Sequence, residues 1–79
     1  MLRSNKASRI DVLLGERIRA LRLKGNHSVL WLALQVGCSP SAYMQIEEGA
    51  TRISASQLYT LAQAFGVGIG DFYDKLFDS

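Results

Sequence analysis

The chain has 79 residues, one cysteine and a formal net charge of +2, and 48% of it is hydrophobic. That length supports one domain with a small core, for which pairing with a second copy is a common remedy, and the apolar share is that of a folded chain. A lone cysteine excludes an internal disulfide framework and fits a reducing cytoplasm; no apolar run reaches membrane-spanning length, and the N-terminus has no signal-peptide core.

Residues 1–8 read as a flexible basic arm with Arg3 and Lys6. Ser8, at its end, stands as the N-cap of a first helix, with Asp11 three residues on at capping-box spacing. Ile10, Leu14, Ile18 and Leu21 recur every three or four residues and mark the core face of that helix. Gly15 interrupts the pattern at a cost of roughly 1 kcal/mol against Ala, which predicts a bend or a helix start there. Gly25 and Asn26 end the helix. The second helix, Val29 to Val36, needs only Leu32, Ala33 and Val36 for a buried stripe, yet Val29, Leu30, Trp31 and Leu34 are apolar as well. Gly37 falls where a left-handed terminating residue is needed. Ser39 then caps a third helix with Pro40 at its first position, where a missing N–H costs nothing. Tyr43 and Ile46 point inward, and Gly49 closes the helix after Glu48.

A loop, Ala-Thr-Arg-Ile, carries Thr51 and Arg52, the latter being the only basic residue between Lys24 and Lys75. Ser54 and Gln57 form a second capping box, opening a helix whose Leu58, Leu61, Ala62 and Phe65 share a face; Gly66 stops it. A last helix over 69–77 places Ile69, Phe72, Tyr73, Leu76 and Phe77 on one stripe. No strand-period segment, repeat or linker is present. The expectation is one all-α domain over 9–79, a compact five-helix bundle.

The stretch 28–49, a helix, a tight glycine turn and a second helix, has the form of a DNA-reading helix-turn-helix unit, whose second helix enters the major groove. Charge agrees: residues 1–25 sum to +5 and residues 26–79 to −3, and a basic half is the footprint of a nucleic-acid binder. The bland alternative is that Arg19, Arg22 and Lys24 simply solvate a helix face. No Ser/His/acid or Cys/His constellation has supporting spacing and no glycine-rich phosphate loop follows a strand, so an enzyme is not expected. His27 lacks a second ligand nearby, so neither metal nor cofactor is expected. Cys38 reads as a small hydrophobe rather than a redox sensor.

Several landmarks resemble the Cro and phage-repressor type of helix-turn-helix regulator. They stand here, in order, as LGERIRALR, S-x-x-x-LA, GCS, QIEEG and LAQAFGV followed by DFY, covering Leu14 to Tyr73. The resemblance implies a lambda-repressor-like fold and sequence-specific binding to double-stranded DNA in the cytoplasm, as a repressor. Carried over by position, it implies that Pro40, Ser41, Met44 and Gln45 face base edges. Gln45 suits adenine N6 and N7 as a bidentate partner. Ser28, Ser39, Arg17, Arg22, Lys24, Thr51 and Arg52 fall toward the backbone, and Glu47 matches an acid that is usually a structural partner. Departures from the family are Val29 in place of Gln, Pro40 in place of a polar or basic residue, and Glu48 in place of a basic or amide residue. The third helix thus has two acids and no Lys or Arg, which predicts weaker or more dimer-dependent binding.

Two apolar surpluses remain. Tyr73, Leu76 and Phe77 read as a homodimer seam, which would suit a palindromic operator. Leu30, Trp31 and Leu34 are either covered by the N-terminal arm or an extended first helix, or form a surface for a second protein partner, with a protein-interaction module as the alternative function.

Overall fold

Serine starts every long helix, and a left-handed residue stops it. The computed structural model describes residues 8–73. Among them lie five helices and no strand: α1 (Arg9–Lys24), α2 (Val29–Val36), α3 (Pro40–Glu48), α4 (Ala55–Phe65) and α5 (Gly70–Tyr73). The hydroxyls of Ser8, Ser28, Ser39 and Ser54 accept from the backbone N–H groups of Asp11, Trp31, Ala42 and Gln57 at 2.9–3.1 Å. Each satisfies one of the donors a helix start leaves unpaired. Both capping boxes form, Asp11 and Gln57 reaching back to their caps.

At the other ends, Asn26 (φ 58°), Gly37, Gly49 and Gly66 take the left-handed conformation. The N–H of the next residue then reaches five residues back, as in His27 to Arg22 O, Cys38 to Ala33 O, Ala50 to Gln45 O and Val67 to Ala62 O. These are Schellman closures. Because they turn the chain within two or three residues, α2 and α3 are separated only by Gly37, Cys38 and Ser39.

Leu14, Ile18, Leu21, Leu32, Ala33, Tyr43, Ile46, Leu58, Leu61, Ala62 and Phe72 make the core. Burying one such large side chain contributes about 1.5–3 kcal/mol, so the terminal Phe72, wholly buried, ties α5 to the rest. Two expectations change. Ile10 is 39% exposed, and Asp11, occupied with its cap, takes the buried place in the first turn. Gly15 does not start α1, which runs unbroken from Arg9 to Lys24. It lies where α1 crosses the end of α3: a Cβ there would meet the carbonyl oxygens of Ile46 and Glu47. Gly15 thus sets the distance of closest approach between the two helices. Residues 1–7 of the N-terminal arm and residues 74–77 of the expected last helix lie outside the described residues.

Candidate nucleic-acid interface

The position of α3 is set by α1. Alongside the Gly15 crossing, Arg22 Nε donates to Glu47 Oε2 at 2.6 Å and Nη2 donates to Oε1 at 3.1 Å. The Glu47 side chain is 1% exposed and that of Arg22 14%. A two-point, charge-assisted contact in a dry setting fixes orientation as well as distance. Hydrogen bonding to Glu47 raises the Arg22 pKa against the opposing effect of desolvation. Tyr43, fully buried beside the pair, has its phenol pKa pushed far up by burial first and by the Glu47 carboxylate second. Its hydroxyl has no hydrogen-bond partner of ordinary geometry among the described residues.

With Tyr43, Ile46 and Glu47 facing inward, the outer edge of α3 carries Pro40, Ser41, Gln45 and Glu48, all exposed. Met44 is half-buried and packs against the core, so it stands back from that edge. Of the two acids on α3, Glu47 is neutralised inside, leaving Glu48 as the one exposed negative charge on the helix.

The cations assigned to a DNA backbone divide sharply. The Arg22 guanidinium is held by Glu47, so two of its five N–H donors are committed to a brace between α1 and α3. Arg17 Nε donates to the Asp71 backbone oxygen at 3.3 Å, fastening α1 to α5. Lys24 is exposed at the end of α1. Arg52 is 78% exposed, its Nε 3.8 Å from Asp11 Oδ2, too long for a firm bond. Ser28 and Ser39 use their oxygens as cap acceptors, and among the described residues neither hydroxyl proton is donated. An anion could therefore accept it without undoing the cap.

Beside α3, a shallow concavity of about 130 Å³ is lined by Cys38, Ala42, Gln45, Ile46, Thr51, Arg52 and Gln57. It brings Gln45 together with Thr51 and Arg52 of the following loop. It also brings in Gln57, which the sequence reading took only for a cap. The signal was available: a capping box engages a glutamine through its oxygen and leaves its NH2 uncommitted. Cys38 is partly buried, and burial raises its thiol pKa, as suits a packing residue.

On the far side of α2, Leu30, Trp31 and Leu34 are 60%, 42% and 68% exposed. Trp31 stacks on His27, centroids 5.4 Å apart, and His27 in turn lies against Phe65. Tyr73 is half-buried against the core, while Leu76 and Phe77 lie outside the described residues. No helix among the described residues is long and apolar enough to cross a membrane, and no group of three or more metal-ligating side chains occurs among them.

Residues 13–71 match the helix-turn-helix domain family. A curated relative, a transcriptional regulator in the ATPase CF(0) region of Rhodospirillum rubrum, is 36% identical over 67 residues, covering 85% of this chain. The chain spans only 62% of that relative's length. Among solved structures, the P22 c2 repressor protein in complex with a synthetic operator is 32% identical, with a TM-score of 0.67 over 75% of this chain and 89% of that one. The restriction-modification controller protein C.AhdI from Aeromonas hydrophila is 28% identical, with a TM-score of 0.71 over 77% and 92%. The five-helix arrangement is therefore that of Cro and phage-repressor-like domains.

Proposed function

The chain belongs to the helix-turn-helix domain family, and from that premise we propose that it is a DNA-binding transcriptional regulator: a cytoplasmic, homodimeric repressor that reads a palindromic operator with α3. The observation that carries this reading is the display of Ser41 and Gln45 on the open edge of a helix whose opposite face is locked into the domain. In the major groove the Gln45 amide would donate to adenine N7 and accept from N6, and Ser41 would donate or accept; Pro40 and the rim of Met44 would supply apolar contact. Ser28, Ser39, Thr51, Lys24 and Arg52 would hold phosphates, with Arg17 and Arg22 bracing the frame behind them. Tyr73, Leu76 and Phe77 would form the dimer seam. The relatives support the reading by being regulators, one of them held on an operator.

Two measurements test it. Binding to random-sequence duplex across a salt series should fall steeply as salt rises, through loss of counterion release. No binding at low salt would overturn the proposal. Selection of duplexes by the pure protein should yield a symmetric site, and Gln45→Ala should relax one base position per half-site by roughly 1–3 kcal/mol. Unchanged discrimination would remove Gln45 from the reading role.

The exposed Leu30, Trp31 and Leu34 favour a protein partner as well as DNA, since Trp frequently anchors interfaces. Quenching of the single tryptophan by a bound protein, with DNA binding intact, is the expected sign.

A further inference from the structure

The concavity beside α3 has a polarity that follows from one hydrogen bond. Ser54 N donates to Gln57 Oε1 at 3.0 Å. A backbone N–H can only donate, so the orientation of the Gln57 amide is forced: oxygen toward the cap, NH2 away from it. Gln57 nevertheless lines the same hollow as Gln45, Thr51 and Arg52. What Gln57 can still offer there is two N–H donors. Arg52 adds the donors of an exposed guanidinium, and Thr51 a hydroxyl. Carboxylates are absent from the lining. A hollow furnished with donors and a positive charge, opening beside a base-reading glutamine, has the chemistry of an oxyanion seat.

We propose that Gln57, with Arg52 and Thr51, grips a backbone phosphate of the DNA next to the base pair that Gln45 reads. This rests on the reading of α3 as the groove-entering helix. It assigns a second duty to a residue whose evident role is capping α4. The cap holds the amide by its oxygen and so presents the NH2 in one fixed direction, sparing the contact the cost of ordering a free side chain. It also links readout to register, since a seated phosphate beside Gln45 fixes how far α3 slides along the groove.

Gln57→Glu tests this cleanly. Glutamate at this position still accepts from Ser54 N, and a negative charge in the first turn of a helix is favourable, so α4 should be as stable as before or slightly more so. The same change replaces two donors by a carboxylate facing a phosphate. Affinity for labelled duplex should drop roughly ten- to a hundredfold on random and selected sequences alike. The deficit should narrow as salt screens the repulsion. Gln63→Glu, an exposed position less than two turns further along α4, makes the identical change in net charge and should bind within about twofold of the parent.

A Gln57→Glu protein with unchanged melting temperature that binds like Gln63→Glu would overturn the proposal. So would a loss confined to particular base sequences, because the amide would then read a base rather than a phosphate. Failure of the parent protein to bind any duplex at low salt would instead bring down the functional reading itself, a result separable from the other two.

Discussion

Arg22 and Lys24 lie two positions apart at the end of α1, and the fold puts them to different work. The Arg22 guanidinium faces a Glu47 carboxylate that is almost wholly removed from water. Removing one partner strands the other as an uncompensated buried charge, which typically costs about 3–5 kcal/mol. A domain of this size has a total stability of roughly 4–12 kcal/mol, so Arg22→Ala should lower the denaturant midpoint severely. Lys24 is exposed, and Lys24→Ala should change stability by no more than about 0.5 kcal/mol. Its effect should fall on DNA: weaker binding to all sequences, with the salt slope reduced by about one. Equilibrium unfolding and binding over a salt series, made on both variants, separate the two roles. An Arg22→Ala protein of parental stability would show that the pair contributes little. Composition could not distinguish these cations, because both are basic residues on one helix; only the arrival of α3 beside the first does so.

At the scale of elements, the contact between α1 and α3 decides where α3 points. Glycine at position 15 lowers intrinsic helix stability, and in an exposed helix its replacement by alanine would gain about 1 kcal/mol. Here the added methyl would fall 2.5 Å from Ile46 O and 2.9 Å from the Glu47 carbonyl carbon. These are backbone atoms that cannot swing aside. Gly15→Ala should therefore destabilise the protein by about 1–3 kcal/mol despite its better propensity. It should also weaken specific binding more than random-duplex binding, since α3 is displaced from its groove. Urea unfolding and paired binding measurements check this; a stabilised variant would show that the helices part at no cost. Helix limits were legible from local chemistry: α2 and α3 run between the residues that their serine and glycine signals mark. The role of Gly15 was not legible, because a helical glycine has the same appearance in sequence whether it is a defect or a crossing point. Ile10 misled for a related reason: its spacing fits the core face, but in the folded domain its neighbour Asp11 takes the buried place in that turn.

For the whole molecule, a domain reading DNA with one short helix that carries an exposed acid would have modest affinity to offer per copy. Two copies on a symmetric site would supply the rest. The expectation is two protomers per selected duplex, with half-sites centred about 34 Å apart, one turn of DNA. Sedimentation of the complex should give that stoichiometry; one protomer on an asymmetric site would remove the homodimeric operator from the proposal. The sequence by itself determined the elements and their order, since capping, helix termination and apolar spacing are interactions among residues at most five apart. It also placed Ser41 and Gln45 on the side of α3 opposite Tyr43 and Ile46, as helical geometry requires. Tertiary structure alone decided which cations stay available, why position 15 must lack a side chain, and that Gln57 shares a hollow with Gln45. Those outcomes depend on pairs of residues 12 to 54 positions apart in the chain, whose meeting is set by how helices pack and leaves no local mark.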